Sequence, residues 1–288
     1  MDGLIIVNKP QGLTSHDVCE KIKRILHTKK VGHTGTLDPM ATGVLVVAVG
    51  KATKLIQYLE NHEKTYLAEA LLGTETDTYD ILGKILSEKK IENVNEVDIK
   101  NALGELKDMK MQIPPIYSAI KVNGKKLYDY ALKNQDVEIK PRPIDIKKLD
   151  LIEVAKKDEK WYIKLVVQAN KGFYVRSLIH DLGIKLNTTA TMSELTRLKA
   201  GNYDLSIAQN LEEIEKNPKI ISIEEIFKDY PQIEDSDYLA KLTRNGIQFD
   251  ERQYSGNQLF KVYHNDKLIA IYAPCGEKIY KPVVFMEE

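Results

Sequence analysis

Three stretches of alternating and β-branched residues most strongly constrain the fold of this 288-residue chain. They run across residues 65–72, 144–154 and 161–169. Apolar residues that alternate with period two indicate strands with one buried and one solvated face, which is typical of antiparallel sheets. The sequence therefore predicts long strands in a large, mostly antiparallel sheet.

Helical periodicity recurs around these predicted strands. Thr14 and Asp17 have the spacing of a capping box, and an apolar stripe at helical spacing follows them. Residues 176–186 again show helical spacing, whereas the branched apolar run 44–49 indicates a buried strand. These patterns predict a mixed α/β (α+β) fold in which helices flank the large sheet.

The end of the chain has a different pattern. Residues 259–263, 267–272 and 279–285 are short strand-like runs separated by turn residues, and an acid-rich stretch precedes them. The sequence therefore predicts a first domain at residues 1–230 and a small β-rich domain at residues 235–288.

Composition excludes several classes of protein. The 42 Lys and Arg residues balance 42 Asp and Glu residues, two cysteines are too few for a disulfide framework, and no apolar run approaches the length of a membrane helix. The amino terminus has no signal-peptide pattern, so we expect a cytoplasmic protein. Basic residues outnumber acidic ones around residues 9–54, so a basic face is compatible with zero net charge.

A lone carboxylate stands out in the stretch "GHTGTLDPMATG", which runs from Gly32 to Gly43. Asp38 precedes Pro39, and the stretch contains no lysine or arginine. An isolated Asp-Pro is usually a turn opener. Here the glycines permit close approach of a ligand to the backbone. Because no cation within the stretch can neutralise the carboxylate, we expect Asp38 to find a cationic partner elsewhere in the fold.

Two other kinds of site are excluded by spacing. The segment from Gly43 to Thr53 has six residues between Gly43 and Gly50, and Ala52 stands where a P-loop needs a hydroxyl. The six histidines form no i, i+4 pair and no cluster with cysteine. The sequence therefore predicts neither a nucleoside triphosphate site nor a metal site.

The extended motif "GHTGTLDPMATGVLVVAVGKATKL" resembles the signature loop of the TruB family of pseudouridine synthases. The likeness continues, in the order of the family, through "VNKPQGLTSHD", "KTYLAEALLGTETDTYD", "QIPPIYSAIKVNGKKLYDYA" and "KGFYVRSLIHDLG". It spans nearly all of the predicted first domain and implies the pseudouridine synthase fold. More weakly, the small β domain resembles the PUA-type RNA-binding domain of the family.

The resemblance implies a catalytic group of three residues. Asp38 is similar to the catalytic aspartate, and Tyr66 to the tyrosine that stacks on the target uracil and can remove its final proton. Arg176 matches the arginine that pairs with the aspartate. Burial in an apolar pocket raises an aspartate pKa, whereas a cation within about 4–6 Å lowers it by about 1–3 units. We therefore expect Arg176 to counter the effect of burial and keep Asp38 ionised.

The resemblance also implies RNA-binding residues. His33 resembles the residue that fills space vacated by flipped nucleotides, and Tyr174 and Leu195 match positions around the target base. Lys9 and Lys54 match basic positions near the active cleft. For Lys121, Lys125 and Lys126, contact with the RNA backbone and a solvated hairpin turn explain the pattern equally well.

The activity implied by the resemblance is isomerisation of uridine to pseudouridine at position 55, in the T arm of tRNA. The reaction requires no cofactor and no metal, and we expect a monomer that acts without a guide RNA. Compact length and the lack of long basic extensions favour this form over a related guide-RNA-dependent synthase. A third possibility is an RNA-binding folding factor whose catalysis is incidental.

Overall fold

The computed structural model describes residues 1–60, 62–133, 135–234 and 236–286. In chain order the strands are β1 (Gly3–Lys9), β2 (Val31–His33), β3 (Thr42–Val49), β4 (Lys64–Leu72), β5 (Thr74–Thr76), β6 (Ile85–Glu88), β7 (Met111–Gln112), β8 (Lys121–Val122), β9 (Lys125–Lys126), β10 (Arg142–Pro143), β11 (Ile146–Lys157), β12 (Lys160–Ala169), β13 (Ala190–Ala200), β14 (Tyr203–Asp204), β15 (Ile221–Ser222), β16 (Gln232–Glu234), β17 (Phe249–Asp250), β18 (Phe260–His264), β19 (Lys267–Gly276) and β20 (Ile279–Phe285). The helices are α1 (Ser15–Ile25), a 3₁₀ helix (Gly50–Leu55), α2 (Ile56–Leu59), α3 (Glu96–Lys107), α4 (Leu127–Leu132), α5 (Val175–Lys185), α6 (Leu211–Lys216), α7 (Ile223–Ile226) and α8 (Asp237–Arg244).

The largest sheet in the described part of the chain has nine strands. Its main path runs β11-β12-β4-β13-β3-β1-β15, with β2 paired to β3 and β14 paired to β13. The pairing of β13 with β3 is parallel, and the other pairings along this path are antiparallel. The predicted mixed fold with a large, mostly antiparallel sheet is therefore confirmed.

One face of this sheet carries the main hydrophobic core, beneath the helices. Val18 and Ile22 of α1, Leu103 of α3 and Leu182 of α5 are buried in one cluster with inward-facing strand residues. Helix α1 begins at the predicted capping box, in which Thr14 and Asp17 bond each other's backbone N–H groups. This satisfies free backbone donors at the N-terminal end of α1.

The opposite face packs against the end of the chain. Leu4 and Val46 of the large sheet share a buried cluster with Leu268, Ile271 and Val284. These last three lie in a five-stranded sheet, of order β16-β18-β19-β20-β17, that also has its own aromatic core. The three predicted strands near the end of the chain are confirmed as β18, β19 and β20.

The predicted division into residues 1–230 and 235–288 stays a prediction. Asp235, at the predicted boundary, and residues 287–288 lie outside the described residues. Among those described, no helix is long and apolar enough to cross a membrane.

A close contact between β3 and β13 fixes the loop before β3. Gly43 pairs with Arg197 and has a φ of +101°, a region that favours glycine. A Cβ atom at Gly43 would lie 2.3 Å from the carbonyl oxygen of Arg197. Only glycine therefore allows the two strands to meet where the Asp38 loop, residues 34–41, joins β3.

Candidate active site

Asp38 and Arg176 form a direct ion pair although 138 positions separate them in the sequence. Arg176 Nη2 donates to Asp38 Oδ1 at 3.2 Å, and its Nε lies 3.0 Å from Asp38 Oδ2. Two guanidinium nitrogens thus face two carboxylate oxygens, which fixes the plane of the carboxylate as well as its charge. The expected partner of the lone carboxylate comes from the first turn of α5.

Other groups hold the guanidinium of Arg176 in place. It donates to the carbonyl oxygens of Thr78 at 3.1 Å and Tyr117 at 3.0 Å. A second carboxylate, that of the buried Asp80, lies 3.7 Å from Arg176 Nη1. Because Arg176 is itself buried, these contacts leave its side chain little freedom to turn away from Asp38.

Burial and Arg176 act on the pKa of Asp38 in opposite directions, as expected from the sequence. Burial, the largest influence, raises the pKa above its ordinary value of 3.8. Arg176 opposes this shift, and Asp80 adds to it. The net shift is upward, because desolvation outweighs the nearby cation. The result is a carboxylate that is more basic than one in water.

Lys9 and Ser15 anchor the loop that carries Asp38. Lys9 is fully buried, and its ammonium donates to the carbonyl oxygens of Pro10, Leu13 and Pro39 at 2.8, 2.6 and 3.3 Å. Burial lowers the pKa of Lys9 to about 8. The Oγ of Ser15 accepts from Leu37 N at 2.8 Å and donates to Leu37 O at 3.1 Å. These hydrogen bonds give Lys9 a structural role, because they hold the backbone of Pro10, Leu13 and Pro39 in place.

Tyr66 and Leu195 lie on adjacent strands beside this loop. Tyr66 is on β4, partly buried against the main core, and pairs in register with Arg197 of β13. Leu195 precedes Arg197 by two positions on β13 and is 7% exposed. Since side chains at i and i+2 share a face of a strand, the register places Leu195 on the face that Arg197 occupies.

Tyr174 is the N-cap residue of the helix that carries Arg176, and Gln112 fixes its backbone. Gln112 Oε1 accepts from Tyr174 N at 2.9 Å, and Gln112 Nε2 donates to Tyr174 O at 3.1 Å. Ser177, in the first turn of the same helix, donates from its Oγ to Ile113 O at 2.8 Å. Burial raises the pKa of the Tyr174 hydroxyl, which therefore stays protonated near neutral pH.

The other predicted RNA-binding residues lie in different surroundings. His33 is half-buried on β2, and its Nδ1 has no hydrogen-bond partner among the described residues. Burial and, to a smaller extent, the charge of Arg197 lower the pKa of His33, so its ring is neutral at neutral pH. Lys54 is exposed on the 3₁₀ helix.

The lysines at positions 121, 125 and 126 lie on a two-stranded hairpin formed by β8 and β9. Asn123 and Gly124 make its turn with φ values of +50° and +81°, as a tight hairpin requires. Lys121, Lys125 and Lys126 are exposed. The hairpin is confirmed, and contact of its lysines with RNA stays a prediction.

Comparisons with known proteins agree with this architecture. Residues 23–175 match the TruB family pseudouridylate synthase N-terminal domain, and residues 176–226 match the tRNA pseudouridylate synthase B C-terminal domain. The chain belongs to the TruB family. It is therefore a pseudouridine synthase, and the resemblance found in the sequence is confirmed.

Relatives of this TruB chain match over nearly its full length. It is 41% identical to the tRNA pseudouridine synthase B of Clostridium tetani, over 94% of this chain and 95% of that protein. It is also 41% identical to the enzyme of the same name from Caldanaerobacter subterraneus, over 97% of each chain. A crystal structure of a Cbf5-Nop10-Gar1 complex has a TM-score of 0.67 and 25% identity, covering 96% of this chain and 79% of that one.

Several residues that build the site of this TruB chain are absent from the sequence-based prediction. They are Asp80, Gln112, Ser15 and Arg197. Asp80 and Gln112 lie within motifs that carry the resemblance, but nothing in their spacing separates them from ordinary polar residues. The contacts that join them to the site span between 22 and 162 positions in the sequence, so local patterns carry no signal for these roles. Among the described residues, no group of three potential metal ligands occurs.

Proposed function

We propose that this chain converts uridine to pseudouridine at position 55, in the T arm of tRNA, as a guide-independent cytoplasmic monomer. The observation that carries the proposal is the ion pair between Asp38 and Arg176, which fixes the orientation of the carboxylate. The choice of tRNA as substrate is supported by relatives at 41% identity that are named tRNA pseudouridine synthase B.

Asp38 is the reacting carboxylate in this proposal. Uracil must detach from ribose at N1, turn within the pocket and rejoin C1′ through C5, after which C5 loses its proton. The carboxylate either attacks C1′ as the uracil leaves or takes the 2′ proton to give a glycal. Both routes need an ionised carboxylate held in one orientation, and Arg176 supplies the opposite charge and the orientation.

The target base must leave its stack to reach Asp38, which costs a few kcal/mol. We propose that Tyr66 stacks on the uracil, with Tyr174 and Leu195 around it, and that His33 fills the vacated space. The neutral ring implied by the lowered pKa of His33 suits this apolar task. We propose Lys54 as an exposed contact to the RNA backbone and Lys9 as a buried anchor of the loop.

We also propose that the chain consists of two domains with different functions. Residues 1–230 would form the catalytic domain, and residues 235–288 a PUA-like RNA-binding domain. The five-stranded sheet near the end of the chain supports this division, since Phe260, Tyr272 and Tyr280 give it a core of its own.

The proposed function is tested with an unmodified tRNA transcript and no guide RNA. Pseudouridine should form at one uridine of the T arm, and the site can be mapped by primer extension after carbodiimide treatment. Modification only when a guide RNA is added would favour the guided synthase. Binding of the transcript without modification would favour the folding factor.

Replacing Tyr66 with phenylalanine separates stacking from hydroxyl chemistry. We expect Tyr66→Phe to bind tRNA normally, because the ring is retained and stacking contributes about 1–3 kcal/mol per base. The single-turnover rate should fall at least about 10-fold if the hydroxyl takes the final proton, in line with general base catalysis. Tyr66→Leu should lose affinity as well. Full activity of Tyr66→Phe would remove the proton-transfer role.

Replacing the three hairpin lysines tests their interaction with RNA. If Lys121, Lys125 and Lys126 bind phosphates, the triple alanine variant should reduce the slope of log affinity against log salt by about 0.7–0.9 for each phosphate that is no longer neutralised. Lys100→Ala is a suitable control, because Lys100 pairs with Glu96 on the surface of α3. An unchanged slope in the triple variant would leave the hairpin as a solvated turn.

A further inference from the structure

Arg197 is among the largest fully buried side chains of the protein, with 2% of its surface exposed. It lies on β13 between two strands of the site, in register with Tyr66 of β4 on one side and Gly43 of β3 on the other. Among the described residues, no carboxylate lies within ion-pair distance of it. A buried arginine without a carboxylate is costly and requires other acceptors.

Backbone carbonyls supply those acceptors. Arg197 Nε donates to Val44 O at 2.6 Å, Nη2 to Gly35 O at 3.1 Å and Nη1 to Thr36 O at 3.4 Å. Gly35 and Thr36 lie just before Asp38, and Val44 lies on β3 just after the loop. The guanidinium of Arg197 thus bonds the backbone on both sides of Asp38, at Gly35 and Thr36 before it and at Val44 after it.

The other backbone carbonyls of residues 35–39 are held from other directions. Ser15 bonds both polar backbone atoms of Leu37, and the carbonyl of Pro39 accepts from Lys9 and from the N–H of Gly12. The carbonyl of Asp38 accepts from Ala41 N at 3.0 Å. From residue 35 to residue 39 every backbone carbonyl therefore has a partner, while the Asp38 side chain extends towards Arg176.

We infer that Arg197 is a positioning residue for pseudouridine formation: it holds the Asp38 loop in the conformation that presents the carboxylate to Arg176. The inference rests on the proposed catalytic role of Asp38. Arg197 acts through the loop, because its nitrogens are engaged with backbone and its side chain is withdrawn from solvent. Reactive groups displaced by about 1 Å can lose about 100-fold in rate, so loosening this loop has a measurable effect.

The test compares Arg197→Met with the wild type in single-turnover reactions at saturating tRNA. Methionine keeps an apolar stem but removes all three donors, which leaves the carbonyls of Gly35, Thr36 and Val44 without these partners. We expect the rate to fall at least about 30-fold while the tRNA dissociation constant stays within about threefold. Hydrogen exchange should accelerate at residues 34–41, whereas α5 keeps its protection. Arg197→Lys should recover part of the rate.

Lys199→Met is the matched control, because Lys199 is exposed on the same strand and lies outside the hydrogen bonds around Asp38. A rate within about threefold of the wild type in Arg197→Met would overturn the inference. So would a proportional loss of tRNA affinity, which would indicate a phosphate contact, or uniformly faster exchange, which would indicate general destabilisation. If Arg197→Met does not fold, Arg197→Lys and Ser15→Ala test the inference instead. Slow turnover with normal tRNA affinity is expected in both variants, and normal rates in both would overturn the inference.

The same assay separates this inference from the proposed function. If Asp38→Asn is inactive and Arg197→Met is normal, only the positioning role fails. If Asp38→Asn retains activity, the proposed catalytic role of Asp38 fails first.

Discussion

Asp38→Asn should abolish pseudouridine formation while the protein still folds and binds tRNA. An amide can neither attack C1′ nor accept the 2′ proton, and loss of an essential reacting group costs at least about 10³-fold in rate. The measurement is single-turnover pseudouridine formation at saturating tRNA, with affinity determined separately. Activity close to that of the wild type in a folded Asp38→Asn would return Asp38 to the role of a turn residue.

The stability of this variant is its internal control. Because the pKa of Asp38 is raised in the folded state, ionising this carboxyl lowers the stability of the wild type as the pH rises above the unfolded pKa. The neutral amide avoids that cost, and Arg176 keeps Asp80 and the carbonyls of Thr78 and Tyr117 as partners. The thermal midpoint at neutral pH should therefore not fall by more than about 3 °C, which corresponds to about 1 kcal/mol.

Arg176→Lys should lose at least about 100-fold in the same rate, with tRNA affinity within about threefold of the wild type. An ammonium keeps the charge but cannot present two nitrogens in one plane to both oxygens of Asp38. It also cannot reach Asp38 and the carbonyls of Thr78 and Tyr117 together, and an unsatisfied buried carbonyl costs about 1–3 kcal/mol. The thermal midpoint should therefore fall by several degrees, and rates should be compared at about 25 °C, where the variant is expected to be folded.

The chain offers a matched control for this substitution. Arg252 and Asp250 form a similar two-pronged contact on the surface, with Arg252 Nε and Nη2 at 2.9 and 2.7 Å from the two carboxylate oxygens. Exposed pairs of this kind contribute little to stability, because water and salt screen them. Arg252→Lys should therefore leave both rate and midpoint nearly unchanged. A near-normal single-turnover rate in Arg176→Lys would show that charge alone is enough at Asp38.

Much of the fold follows from local patterns. Alternation at residues 65–72 and 161–169 corresponds to β4 and β12, which are neighbours in the sheet, and the Thr14–Asp17 capping box begins α1. These features are local because strand alternation and helix caps depend on residues a few positions apart. The resemblance then brought in Asp38, Tyr66 and Arg176 as a group, which patterning alone does not assemble.

The net effect of the surrounding groups on the pKa of Asp38 could not be predicted from the sequence. The sequence predicts two opposing effects on the pKa of Asp38, a raising by burial and a lowering by a cation, but not the sign of their sum. In the folded protein the pKa is raised. The sign depends on how much water the fold removes from the carboxylate and on the second carboxylate of Asp80. Both depend on distances between residues remote in sequence, so they appear only when the chain is folded.

By itself the sequence determined the mixed architecture, the capping of α1, the family and the residues that most merit substitution, because short-range periodicity and ordered motifs encode them. The tertiary structure alone decided that Lys9 is buried as an anchor, that Asp80 lies beside Arg176, and that Arg197 ties down the Asp38 loop. The physical reason is that each of these roles is a hydrogen bond or ion pair made after burial. Its partner is set by the packing of strands and helices that are far apart along the chain.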